Sequence, residues 1–475
     1  MAKLDAQGAV LWARQITGFR SESVNGVAVD AAGNVSIAGT LQHDAIFDDV
    51  TMLQGASVVS RDLFVARYDA NGTVLWARSF GGPTDDVDSM IGNGIAVDAA
   101  GNVYVAGGLK GEATVGTTTL NNTALEHVPV LLKLTSDGNV AWVRQGQLVG
   151  NALTSPYGGA SAVAVDATGN AVLCGSFNGS LNLEGVSLQT VSTQSQMFVA
   201  RFDATGNLQW ARESIGSTKV QPNAVGIDAA GNTYVAGVYE GATAFGSLAL
   251  TTSGQTNGYL VKFDPSGSAQ WARTVGSSQY TAINGLALTP SGDTYVTGQF
   301  AGSALLDAAT TLNSQGNSDI LVASYNTQGN LRWAQQAGGP SSDIGTSVGV
   351  DATGQVYVSG MIAGPVTFGT HILSGPLMPF VAKLGMQPLA TAAATTLRSL
   401  TFNPNPATEI VFLPSLPVGT QVMITDALGR SIRKSVTIAS VASTQVSIAG
   451  LAPGTYLLRA TDPKGLQYGG RLVVQ

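Results

Sequence analysis

The chain of 475 residues is poor in charge: Asp, Glu, Lys and Arg together make up 11%, against about 25% in an ordinary soluble protein. It has one cysteine, Cys174, which excludes an intramolecular disulfide. Histidine occurs three times, at His43, His127 and His371, with no spacing that suggests a metal site or a catalytic triad. No cluster of Lys and Arg is present, and the formal net charge is −7. A surface that holds phosphates needs such a cluster, so nucleic acid is excluded as an expected partner. No apolar run is long enough to cross a bilayer as a helix, so no transmembrane segment is expected. Met1 to Gly8 contain no apolar core of a signal peptide.

What the chain has instead is glycine, 59 residues, and 44% hydrophobic residues. Many Gly, Thr and Val with few Lys and Glu suit sheets better than helices. All six tryptophans sit in one recurring motif. It reads Trp-Ala-Arg at Trp12, Trp76, Trp210 and Trp271, Trp-Val-Arg at Trp142 and Trp-Ala-Gln at Trp333, at intervals of 61 to 68 residues. In step with it run Val-Ala-Val-Asp-Ala-Ala-Gly-Asn-Val, first at 27–35, and an apolar run such as Leu63-Phe64-Val65-Ala66-Arg67-Tyr68-Asp69.

Each repeat therefore holds four short alternating strands, A to D. Asp-x-x-Gly turns join A to B and C to D: Asp accepts bonds from turn amides, and Gly supplies the left-handed residue. Six such antiparallel units predict an all-β fold, a six-bladed β-propeller over residues 1–384. The chain starts just before a D strand, and the last repeat lacks one. Residues 9–15 are therefore expected to complete the last blade by pairing with 379–384.

Residues 385–397, with Thr-Ala-Ala-Ala-Thr-Thr, read as a linker. Residues 398–475 carry short strand patterns, among them Ile410-Val-Phe-Leu413, Gln421-Val-Met-Ile424 and Tyr456-Leu-Leu-Arg459. They predict a small carboxy-terminal, Ig-like β-sandwich.

Both parts resemble known families. The segment Asn93 to Gly107 and its partners resemble the bacterial β-propeller repeat family and, more distantly, the NHL repeats. The tail resembles the type A sorting domain of the type IX secretion system. The resemblance is carried by Asn403-Pro404-Asn405-Pro406, Asp426 with Gly429 and Arg430, Gly454 with Tyr456, and the terminal Arg471-Leu-Val-Val474. It implies export across an outer membrane, recognition of the tail by the secretion machinery, and a secreted or surface-attached product. Such passengers carry an amino-terminal signal peptide, so the start of this sequence is expected to be truncated.

Neither resemblance implies an activity. Short turns line one face of the predicted disc and longer, varied links the other, which makes the second face the candidate surface. Two features stand there. One is a polar ring just before each A strand: Asn25, Asn93, Ser161, Asn223, Asn284 and Thr346, which could bind a ligand or cap strands. The other is the run Asp85, Asp86 and Asp88, which could hold a cation or be a solvated loop. No cofactor, metal site or catalytic residue is expected. Cys174 replaces a small strand residue, the tryptophans read as core, and the recurring Asp residues read as turn caps. The expectation is a non-enzymatic module binding a glycan or peptide. The alternative is a glycan hydrolase or lyase, which would need two convergent carboxylates.

Overall fold

The computed structural model describes residues 1–18, 22–47, 51–53, 61–82, 89–123, 126–149, 159–190, 194–216, 218–252, 255–369, 371–384, 398–425, 431–437, 444–463 and 467–475. It divides into two compact units, residues 1–386 and 387–475. Among the described residues there is no helix, and so none long and apolar enough to cross a membrane.

The first unit is a row of antiparallel sheets, each a meander in the order A–B–C–D. The first sheet consists of Ser23–Val29, Val35–Leu41, Asp62–Tyr68 and Val74–Phe80. Four more sheets of the same order follow, with A strands Ser89–Val97, Gly159–Val165, Val220–Ile227 and Tyr280–Leu288. A sixth sheet has three strands, Ile344–Val350, Val356–Ile362 and Met378–Leu384. These are the blades of a β-propeller.

The turn chemistry is the one the sequence asks for. Asp30 Oδ1 accepts the amides of Ala32 and Asn34, both at 2.9 Å, and Gly33 turns the chain at φ +82°. The same bonds recur at Asp98, Asp166 and Asp228.

Two features differ from expectation. Val10–Ala13 does not pair with the last strand; it pairs with Ala2–Leu4, with Lys3 opposite Trp12. Ala2–Leu4 thus stands as a C strand to Val10–Ala13, and no pairing with Met378–Leu384 exists among the described strands. The long B–C links are also not free loops. Ser180–Leu183 and Val186–Gln189 form a hairpin that pairs with Gln147–Val149, a continuation of the preceding blade. Thr243–Phe245 pairs in the same way with the end of the third sheet's D strand.

The core lies between blades. Ala38, Leu63 and Val65 of the first sheet pack with Met90, Val103 and Val105 of the second, and similar clusters fill the later gaps. Five of the six tryptophans also reach forward to the next blade. The indole N–H of Trp12 donates to Ala70 O, that of Trp142 to Ala204 O, and that of Trp271 to Thr327 O, at 3.0 to 3.2 Å. These acceptors lie in the C–D turn of the next blade. The arginine of the motif follows: Arg144 Nε donates to Gly206 O at 2.8 Å and Arg273 Nε to Gly329 O at 2.7 Å. The Trp-Ala-Arg motif is therefore a staple between blades, which explains why it recurs at one position.

The second unit has a five-stranded sheet, in spatial order Arg398–Ser399, Gln467–Val474, Gly454–Thr461, Gln421–Thr425 and Ser431–Thr437. A separate pair, Ile410–Leu413 with Thr444–Ser447, contributes Val411, Leu413 and Val446 to a core shared with Val422, Ile424, Leu458 and Leu472. Asn405 ties the start of this unit to its last strand. Its Oδ1 accepts from Val473 N at 2.9 Å and its Nδ2 donates to Arg471 O at 2.7 Å. Tyr456 closes a local bond to Ala452 O at 2.9 Å. Asp426, Gly429 and Arg430 lie outside the described residues.

Candidate functional site

The polar ring expected before the A strands coincides with a structural irregularity. In every A strand the pairing register shifts at one residue, a β-bulge, and the bulged residues are Asn25, Asn93, Ser161, Asn223, Asn284 and Thr346. A bulge re-aims the side chain it carries. Here it turns the asparagines toward the next blade. Asn25 Nδ2 donates to Gly92 O, Asn93 to Ala160 O and Asn223 to Ile283 O, all at 2.8 Å, and Asn284 to Gly345 O at 2.9 Å. Thr346 donates instead to Ser359 O of its own sheet at 3.2 Å. Each asparagine thus uses one N–H between blades and keeps its Oδ1 and second N–H.

Two members of the ring also line a cleft of about 300 Å³ between the first and second sheets. Its walls are Glu22, Ser23, Asn25, Thr40, Arg61, Ile91 and Asn93. Thr40 and Arg61 carried no signal in the sequence and meet Glu22 only through blade stacking. The cleft therefore holds one carboxylate, one guanidinium and several uncharged donors and acceptors. Such a set hydrogen-bonds a neutral polar chain. Among the described residues that line it there is no second carboxylate of the kind a glycosidase uses.

Behind Arg61, whose carbonyl accepts Met90 N at 2.8 Å, Ser89 Oγ lies 2.9 Å from His127 Nε2. Burial, with Lys110 and Arg61 nearby, holds the His127 pKa below the usual histidine value, so its neutral ring can accept the Ser89 proton. Asp85, Asp86 and Asp88 lie outside the described residues. Among the described residues no group of three or more His, Cys, Asp or Glu is placed to hold a metal ion. Cys174 is buried, and burial pushes its thiol up to about 12, the state of an inert core residue.

Residues 401–475 match the family described as "Secretion system C-terminal sorting domain", and residues 76–107 match "Beta-propeller repeat". The chain carries a secretion sorting tail behind a β-propeller. The sorting tail belongs to the type IX system, and the protein is secreted or attached to the outer-membrane surface. An uncharacterized WD repeat-containing protein of Acanthamoeba polyphaga mimivirus is 22% identical over 447 residues, covering 78% of this chain. The chain spans 31% of the length of that curated relative. A protein of unknown function from Bacteroides caccae aligns at 12% identity over 70% of this chain and 89% of its own, with a TM-score of 0.35. PorZ, a surface component of the type IX secretion system of Porphyromonas gingivalis, aligns at 12% identity over 99% of this chain and 84% of its own, with a TM-score of 0.23.

Proposed function

We propose that the propeller with its sorting tail is an exported binding module, and that its ligand is an uncharged polar chain, a glycan or an extended peptide. The supporting observation is the cleft between the first and second sheets. Ser23, Asn25, Thr40 and Asn93 offer donors and acceptors, whereas Glu22 and Arg61 balance each other in charge. Phosphate-rich ligands would want more cations than one Arg. The sorting tail supplies the address and the stapled blades a rigid frame.

A glycan array and a peptide array probed with the whole protein test this reading. Hits should weaken at least tenfold in the Thr40→Ala and Arg61→Ala variants with unfolding unchanged. Silent arrays, or hits that both variants retain, would overturn it. Turnover of a bound glycan would favour the hydrolase alternative.

A further inference from the structure

The C strands of the first five sheets begin at one equivalent position, occupied in turn by Asp62, Val128, Gln196, Asn257 and Asp319. The link from each D strand to the next A strand passes beside it. A Cβ on Gly81 would fall against the Asp62 carboxyl, and one on Gly338 would fall 2.5 Å from both carboxyl oxygens of Asp319. Where the position is an uncharged amide, that residue ties the link by itself. Gln196 Nε2 donates to Thr218 O at 2.6 Å, and Asn257 Oδ1 accepts from Ser277 N at 3.2 Å. The links at 146–158, 217–219 and 278–279, which follow the uncharged positions, contain no acidic residue. The two links that follow Asp62 and Asp319 share the pattern Gly-Gly-Pro-x-x-Asp, which ends at Asp86 and at Asp343. Asp therefore stands on both sides of this junction or on neither.

At the fifth sheet both members lie among the described residues. Asp319 opens the strand Asp319–Tyr325, Asp343 precedes Ile344–Val350, and both are fully buried. Gly338 underlies the Asp319 carboxyl, and the amide of the adjoining Gly339 donates to Asp343 Oδ2 at 2.9 Å, so neighbouring main-chain positions hold the two groups. Asp343 Oδ1 accepts from Ala363 N and Asp319 Oδ2 from Gln315 N, both at 2.9 Å. Asp319 Oδ1 has no hydrogen-bond partner among the described residues. Beside burial, the charge of Asp343 bears on the Asp319 carboxyl, and no Lys or Arg offsets it. Two buried carboxylates of like charge are costly unless a positive group joins them. Gln315, Asn317, Pro340 and Ser342 are exposed, so the pair lies one loop beneath solvent.

We propose that Asp319 and Asp343 hold a calcium ion between the fifth and sixth sheets. Calcium takes about 6–8 oxygen ligands in flexible geometry. The two carboxylates supply its anionic ligands, and main-chain carbonyls of the two loops supply neutral ones. Those loops run together: Asn317 N donates to Ser341 O at 3.1 Å and Asp343 N to Ser318 O at 2.8 Å, and a Cβ on Gly316 would fall 2.6 Å from Ser341 O. Magnesium fits such a site less well, because it keeps several waters and demands a near-ideal octahedron. The protein is secreted or surface-attached, and extracellular modules bind calcium at about 0.1–1 mM. The ion pins the fifth C strand to the link that opens the sixth sheet. Gln196 and Asn257 close the same junction with hydrogen bonds alone.

Equilibrium dialysis of the full chain against calcium chloride, with melting temperatures taken in calcium and in chelator, tests it. The wild type should bind calcium, and about a tenfold excess over the dissociation constant should raise its melting temperature by about 2–4 °C. Asp319→Asn and Asp343→Asn should each bind one ion fewer per chain. In chelator at pH 7, Asp319→Asn should melt no lower than the wild type, since it drops one of two repelling charges; its lost binding is then not lost folding. No calcium binding by the wild type would overturn the proposal and leave the pair sharing a proton. Binding that both variants retain in full would put the ion elsewhere and overturn it too.

Discussion

The indole N–H of Trp76 donates to Ser136 O at 2.8 Å, and the ring lies against Gly138 of the same turn in the next blade. A Cβ on Gly138 would fall 2.7 Å from the ring, at a residue with φ +80°. The tryptophan needs the glycine for room, and the turn needs it for its backbone conformation. Trp210 stands in the same relation to Gly267, with its N–H 2.9 Å from Pro265 O.

Truncating such a staple should be costly. Trp210→Ala should lower unfolding free energy by about 3–5 kcal/mol, the range for large-to-small core changes. Trp210→Phe should lower it less, since much of the ring packing stays. Denaturant unfolding followed by circular dichroism reads both; equal losses would show that the hydrogen bond carries the staple.

The bulge asparagines should matter for stability first. Asn284→Ala removes the donor to Gly345 O and should cost about 0.5–1.5 kcal/mol. Thr346→Ala should cost less, because its bond stays within one sheet and the residue is exposed. Thermal denaturation of the two variants side by side checks the order.

The turn aspartates set an acid limit. The Thr205 hydroxyl, followed by the Asn207 amide, holds the Asp203 carboxyl at about 2, below its ordinary 3.8. The unfolded chain then binds the proton more readily, so this stabilisation is present above 3.8 and is lost as pH falls toward about 2. Asp264 is lowered likewise, with the Ser266 hydroxyl the largest cause. Asp203→Asn should lower the melting temperature at neutral pH and flatten its fall across that window, so that the two proteins converge toward pH 2.

Buried Asp319 titrates the other way. Burial chiefly, with the charge of Asp343 adding, raises its carboxyl, and its Oδ1 has no hydrogen-bond partner. A raised folded-state pKa means that stability falls as pH rises through it. Asp319→Asn should therefore gain stability relative to wild type as pH goes from 4 to 7. The difference between the two melting curves at each pH is the measurement.

The sorting tail should be separable. Deleting residues 398–475 should leave the unfolding transition of residues 1–386 in place, because each unit has its own core. In a host with the type IX system the deleted form should fail to reach the surface. Asn405→Ala, which frees the start of the tail from Arg471 and Val473, should reduce surface yield, measured by protease accessibility on whole cells.

Sequence alone determined the all-β class, the four-strand repeat and the sorting tail. Those are local facts: hairpin turns, alternation and a motif depend on residues near in the chain, so Asp30-x-x-Gly33 announces its turn without any neighbour. The polar ring was visible as six residues in register. Its bulges, and the forward bonds to Gly92, Ala160, Ile283 and Gly345, were not, because a register shift is set by what the opposite strand and the next blade require. Glu22, Thr40 and Arg61 came together only through the stacking of one sheet on the next. The partner of Val10–Ala13 was likewise decided in three dimensions. Among the described strands Val10–Ala13 pairs with Ala2–Leu4, whereas Met378–Leu384 pairs only with Val356–Ile362.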